Sequence, residues 1–331
     1  MLCQNWGRTM RTFLYDEREG LIQGLSLEEL VERSINTNCA FWIDCLTPDP
    51  KEIHRLGEVL GLHPLAIEDL INSQHRPKID VYENGLLIVV RDADVDRIEK
   101  GARALELDLF LGRNFLITVH TERMESIEMA LNRLEGAASR TLGRGPDYLM
   151  HWIIDMLVDD NLQLLNWLDE EISDLEEDLF TAPTQDVLMR TARLRKNVIY
   201  LQRIMAPELE LIKRLAWDDL PFIKKSLRVY FRDVYDNLAR INDLVYAYRE
   251  IVSSDMATHQ TLISNRLNEV MKTLTIIATI MLPLTLITGL FGMNVDFPGH
   301  SSKFAFWAII AGMSAMSIGM LFYFKRRGWF G

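Results

Sequence analysis

Residues 273–295 read TLTIIATIMLPLTLITGLFGMNV, a run of 23 residues without a charge between Lys272 and Asp296. A helix needs about 20 predominantly apolar residues to cross the hydrocarbon core of a bilayer. This stretch therefore predicts a membrane span. A second uncharged run of 21 residues, FAFWAIIAGMSAMSIGMLFYF, occupies 304–324 between Lys303 and Lys325. A short loop joins the two, so they form a hairpin with both chain ends on one side of the lipid bilayer. Lys325, Arg326 and Arg327 follow the second span, and Arg266 and Lys272 precede the first; the loop offers only Lys303 and Asp296. Basic residues collect on the cytoplasmic side of a membrane, which places both termini in the cytoplasm and the loop outside.

Upstream of the spans, glycine usage marks the organisation. Eleven of the 18 glycines lie in residues 1–145, none in 146–288, and seven after that. Glycine weakens a helix interior by about 1 kcal/mol, so the empty interval reads as long helices. Apolar residues from Leu149 to Leu179 recur on one helical face. A second helix runs from about Gln185 to Met205, ahead of Pro207. From Phe222 to Leu282 there is neither Gly nor Pro, and the apolar run continues without a break. One helix from Phe222 to Phe291 is about 105 Å long at 1.5 Å per residue, enough to carry motion from a soluble sensor into the membrane.

The front part alternates strand and helix patterns. Ala40–Cys45, Lys78–Glu83, Leu86–Asp92, Leu105–Leu111 and Phe115–His120 read as strands, with Asn84-Gly85 as a hairpin turn. Residues 49–60 and 64–72 read as helices. The expected fold is an α/β cytosolic domain (1–145), a helical stalk (146–270) and a membrane domain (271–331). Its spans cover about 271–291 and 304–324, and its outer loop covers 292–303.

The formal net charge is −11, which argues against nucleic acid as a partner, since that needs clustered positive charge. The three cysteines, Cys3, Cys39 and Cys45, form no CxxC pair, and reduced thiols suit the cytosol. No signal peptide opens the chain, and Met10 is a second candidate start. No phosphate loop, zinc-protease helix or nucleophile elbow is present, so no enzyme is expected. His54, His63, His75 and His120 lack ligand spacing and read as structural. The acidic run Asp169–Asp178 reads as a solvated face.

Within the first span, Met271, Leu274, Ala278, Leu282, Thr285 and Gly289 recur at spacings of 3 and 4 and form one helical stripe. It is apolar toward the cytosol and small or polar toward the outer end. Apolar constrictions gate by dewetting, so Met271 and Leu274 are the gate candidates. The stripe leads to Gly292-Met293-Asn294. There Asn294 offers a neutral side-chain carbonyl, and Gly292 lets backbone oxygens approach. The competing role for Asn294 is a helix C-cap.

Gly292-Met293-Asn294 at the end of the first of two C-terminal spans, after a long helix and before a basic tail, resembles the CorA family of magnesium and cobalt transporters. The runs His63–Asp69, Arg76-Pro77-Lys78 and Tyr230–Asp236 extend the similarity over most of the chain. The resemblance implies a homopentameric funnel in the cell inner membrane, with five long helices around one pore. It implies passive transport of Mg²⁺ and Co²⁺, with Mg²⁺ as both cargo and regulator. It further implies that Asp69 and Asp233 meet across a subunit boundary around Mg²⁺, with Glu68 and Asp155 at a neighbouring site. An acid that family members can carry on the long helix ahead of the gate falls here on Ala257, with Asp255 nearby. The alternatives are Zn²⁺ transport by the zinc branch of the superfamily, and a membrane-tethered scaffold without a pore.

Overall fold

The computed structural model describes residues 10–37, 39–72, 75–96, 101–181, 184–293 and 303–329. Two compact units divide the chain, Met1–Asp255 and Met256–Gly331.

The first unit is built on one seven-stranded sheet. Its strands are β1 (Met10–Asp16), β2 (Gly20–Gln23), β3 (Ala40–Leu46), β4 (Lys78–Tyr82), β5 (Gly85–Asp96), β6 (Gly101–Leu111) and β7 (Phe115–His120). Their order is β2-β1-β3-β7-β6-β5-β4, with β3 and β7 parallel and every other pair antiparallel. Successive strand residues face opposite sides, and β5 uses both. Leu86, Ile88 and Val90 enter one core; Leu87 and Val89 enter the other. Gly85 is required at the start of β5, because an added Cβ would sit 2.6 Å from the Leu111 carbonyl oxygen.

The smaller core lies under α1 (Leu27–Thr37), α2 (Pro50–Leu60) and α3 (Pro64–Ile71), which contribute Leu30, Ile53, Leu56, Ala66 and Leu70. Asp49 caps α2 in a reciprocal box with Glu52, and the His63 ring nitrogen Nδ1 caps α3 by accepting the Leu65 N–H. The larger core lies under α4 (Glu125–Ala137), α5 (Pro146–Thr181), α6 (Gln185–Trp217) and the first part of α7 (Arg228–Phe291).

Several boundaries differ from expectation, each for a physical reason. β1, β2, α1 and α4 fall in stretches whose patterns are short or mixed. α6 does not stop at Met205 but runs through Pro207 to Trp217. A proline inside a helix costs about 3 kcal/mol; burial of the apolar Met205, Leu211, Ile212 and Leu215 on the same helix offsets that cost. α7 begins at Arg228 rather than Phe222, because Phe222 adopts a left-handed φ of 67°. A short 3-10 turn, Lys225–Leu227, intervenes, anchored where Asp147 accepts the Lys224 N–H at 3.1 Å.

The second unit contains the remainder of α7 and α8 (Lys303–Arg326). Both helices are long and apolar enough to cross a membrane. Almost none of their apolar surface is covered within the chain; Ile276 and Phe324 are the buried apolar side chains of this unit among the described residues. An apolar surface of that extent is unstable in water and requires lipid or another chain.

Candidate ion pathway and metal centre

The six stripe residues lie on α7, and each is exposed in the single chain. Leu282 is 70% exposed, and Met271 and Leu274 are 58% exposed each. Uncovered leucine and methionine on one helical line are what an axial lining in an assembly requires. At the outer end the surface turns polar. Thr285 Oγ1 donates to the Met281 carbonyl at 2.8 Å, and Thr288 Oγ1 donates to the Thr285 carbonyl at 3.0 Å. Their O–H groups are thereby spent, which leaves oxygen lone pairs for an incoming cation.

Pro283 adds a feature that periodicity alone did not single out. It sits inside α7 and has no N–H, so the Thr279 carbonyl loses its helical donor. One further backbone oxygen in mid-span is left without its usual bond. α7 ends at Phe291, where the Gly292 N–H donates to the Thr288 carbonyl at 2.9 Å. A Cβ on Gly292 would stand 2.9 Å from that same oxygen. Met293 is exposed, and Asn294 lies outside the described residues.

The expected metal ligands fall into two pairs. Glu68 and Asp69 sit on α3, Glu68 exposed and Asp69 half-buried. Both Asp69 oxygens already have partners. Lys78 Nζ donates to Oδ2 at 2.7 Å, and His75 Nε2 lies 3.2 Å from Oδ1. Lys78 also reaches Asp80 at 2.9 Å. Burial pulls the Lys78 ammonium down, but its hydrogen bonds to Asp69 and Asp80 outweigh that and raise its pKa. His75 continues the chain of contacts to Glu106 at 3.3 Å. These partners of Asp69 come from the segment after α3 and from β4, and sequence spacing did not reveal them.

The second pair is Asp155 on α5 and Asp233 on α7. Tyr148 meets Tyr230 edge-on at 5.8 Å, and His151 meets Phe231 at 5.1 Å. Further along, Asp169 hydrogen-bonds Tyr248. Rising numbers on both helices pair together, so α5 and α7 run parallel. Asp155, one turn beyond His151, therefore stands level with Asp233. Burial, then the charges of Asp159 and Asp233, push the Asp155 carboxyl up to about 6. Paired carboxylates in this state gain from a bridging cation. The fit is incomplete in one respect: among the described residues no three His, Cys, Asp or Glu side chains are gathered around a common metal position.

Other expected features stand as follows. Ala257 is exposed, and burial followed by the charge of Glu176 raises the pKa of Asp255. Within the acidic run, Glu171 and Asp178 form ion pairs with Arg190 of α6 at 3.1 and 3.3 Å. His120 is buried against Asp44, a structural role.

Residues 39–326 match the family model described as CorA-like Mg²⁺ transporter protein. The chain belongs to this family. It is 35% identical over 278 residues to the cobalt/magnesium transport protein CorA of Thermotoga maritima, which covers 84% of this chain and 79% of the relative. It is 27% identical over 278 residues to the zinc transport protein ZntB of Yersinia pseudotuberculosis, covering 81% of each. The solved structure of the CorA magnesium transporter from Methanocaldococcus jannaschii superposes with a TM-score of 0.82 at 23% identity, over 97% of this chain and 99% of that one. An α/β unit, a long helix and two C-terminal apolar helices are thus the CorA fold. The chain is a membrane transporter of divalent cations within the CorA superfamily, and the relatives named here are transporters.

Proposed function

We propose that the chain conducts Mg²⁺ and Co²⁺ passively, as a homopentamer in the cytoplasmic membrane, and that cytosolic Mg²⁺ closes it. The observation that carries this reading is the uncovered stripe on α7, from Met271 and Leu274 to Gly289, leading into Gly292-Met293 and the adjoining Asn294. Five copies of that stripe around one axis bury it and make a pore with an apolar inner gate and a polar outer mouth. The Thermotoga maritima relative bears the name of a cobalt/magnesium transport protein, which supports these two ions as cargo.

In this reading residues 1–145 form the cytosolic sensor, 146–270 the stalk and 271–331 the membrane domain, with both termini in the cytoplasm. Asp69 and Asp233 bind the regulatory ion between neighbouring subunits, and Glu68 and Asp155 form the adjoining site. Zn²⁺ is the second reading, favoured by the likeness to ZntB; ligand type alone does not separate first-row divalent ions. The test is flux into liposomes with Mg²⁺, Co²⁺, Ni²⁺ and Zn²⁺ compared, with and without a pH gradient. Wild-type protein is expected to pass Mg²⁺ without a gradient. Asn294→Ala is expected to abolish uptake in an intact assembly, and wild-type rates in that variant would remove the filter assignment.

A further inference from the structure

Between the end of α3 and the strands beside it lies a partly open cavity of about 70 Å³. Leu70 and Ile71 wall it from α3, Val119 from β7, and Pro48 and Pro50 from the turn into α2. Its polar wall is acidic. Glu106 and Asp108 of β6 line it, and among the described residues of the lining none is Lys or Arg. Residues alternate sides along a strand. Phe110 enters the smaller core, whereas Leu107 and Leu109 enter the larger one. Glu106 and Asp108 therefore share the α3 side of the sheet, where the cavity lies. His120 also lines the cavity, but its Nε2 lies 3.2 Å from Asp44 and its Nδ1 2.6 Å from the Glu122 carbonyl.

The two carboxylates differ in what they already hold. Glu106 is engaged within the fold: His75 Nδ1 lies 3.3 Å from Oε1, and Arg91 donates to Oε2 at 3.2 Å. Asp108 is only 4% exposed, and its Oδ1 atom is buried without a hydrogen-bond partner. Burial, then the charges of Glu106 and Asp69, push its carboxyl up to about 8, while Lys78 and Arg91 pull the other way. A buried carboxylate is costly unless a positive group sits beside it, and a cation there removes the penalty. A metal ion suits the place poorly, since among the described residues no three His, Cys, Asp or Glu side chains could hold one. Size narrows the choice further. A cavity of about 150 Å³ holds benzene, so this one takes a group of about three heavy atoms. An ammonium on a narrow alkyl chain fits: its head carries three donors, and the apolar walls suit the methylenes behind it.

We propose that this cavity binds the primary ammonium end of an aliphatic amine, with Asp108 as counter-ion and Leu70, Ile71 and Val119 against the methylenes. The site uses none of the residues assigned to the ion pathway or to closure by Mg²⁺, and the inference does not rest on those assignments. It has a consequence for them. Asp69 is near enough for its charge to raise the Asp108 carboxyl, so an organic cation beside Asp108 weakens the attraction of Asp69 for Mg²⁺.

The test is calorimetric titration of the purified full chain in detergent and magnesium-free buffer, with propylammonium chloride as probe. Tetramethylammonium chloride is the control, because it carries the charge without an N–H and is too broad for the cavity. Wild type is expected to bind propylammonium saturably, about tenfold or more tighter than the control, as a charge-assisted hydrogen bond requires. Asp108→Asn keeps the shape and removes the charge, and is expected to weaken propylammonium binding by about tenfold or more. Ile71→Phe fills the cavity and leaves both carboxylates in place. It is expected to lose binding likewise, and it decides the matter if the Asn variant does not assemble. The chain carries a net charge of −11, so the probe can also collect on its acidic surface. Binding of that screened kind would move by less than about twofold in either variant, and that result would overturn the inference. So would a wild type that does not distinguish propylammonium from tetramethylammonium.

Discussion

If Asp155 belongs to a regulatory cation site as proposed above, that site is sensitive to protons. A divalent cation needs the ionised carboxylate, and the pKa of about 6 places the competing proton in an accessible range. At pH 7 roughly ten-elevenths of the groups are ionised, and at pH 5 roughly one-eleventh. The apparent affinity at this carboxylate should therefore fall about tenfold between the two. An aspartate at its ordinary value near 3.9 would stay ionised throughout and show little change. The assay is protease protection of α7, titrated with Mg²⁺ at pH 7, 6 and 5. The wild-type midpoint should rise about tenfold on acidification. Asp155→Asn should bind more weakly and show a flatter profile. Stability without metal supplies a cross-check of opposite sign. An acid whose folded pKa is raised contributes no penalty below its unfolded value, and destabilises as pH rises from about 4 through about 6. Metal-free Asp155→Asn should therefore melt higher than wild type at pH 7.5 and together with it near pH 4. A wild-type midpoint that does not move between pH 7 and 5 would refute the reasoning.

Three further outcomes are expected. Leu274→Gly should leak: a ring of glycine wets the constriction, so conductance at high cytosolic Mg²⁺ should rise, and unchanged closure would move the gate elsewhere on the stripe. Replacing Asp69 and Asp233 together with Ala should blunt the Mg²⁺ dependence of α7 protection; titration curves identical to wild type would return both to ordinary surface carboxylates. Glu208 is buried on α6 with one oxygen unpaired, and burial pushes its carboxyl up to about 8. Wild-type stability should therefore decline as pH rises from about 4.5 to 8, and Glu208→Gln should flatten that decline and raise the melting temperature at pH 8; equal melting curves at pH 5 and 8 in wild type would contradict it.

What the sequence made legible follows from how strictly each environment selects residues. The spans around 273–295 and 304–324 were plain because lipid supplies no partner for a charge or a bare backbone group. The central strands were plain because residues such as Leu86 to Val90 are buried on both faces of the sheet. α6 was cut short because Pro207 is a strong local signal and the core packing that overrides it is not local. The start of α7 was misplaced because nothing in the residue type of Phe222 announces its left-handed backbone. At the site, the stripe could be read because helical periodicity positions its members. The engagement of Asp69 by His75 and Lys78, and the approach of His151 to α7, depend on how separate elements pack, which no spacing within one segment encodes.

Lys78 alters how the proposed intersubunit ion must work. Its ammonium sits 2.7 Å from Asp69 in the single chain, so Asp69 does not wait as a bare charge for Mg²⁺. A cation arriving at Asp69 has to share or displace a tethered one, and it gains only the difference between the two interactions. That lowers intrinsic affinity. It also means that a subunit released from its neighbour keeps Asp69 neutralised by its own lysine. A ligand shifts a two-state balance only by its differential affinity for the two states, and a tethered competitor reduces that differential at each site. Closing the pore then requires several such sites to fill together, which makes the response to Mg²⁺ steeper in an assembly of many copies than any one weak site could make it.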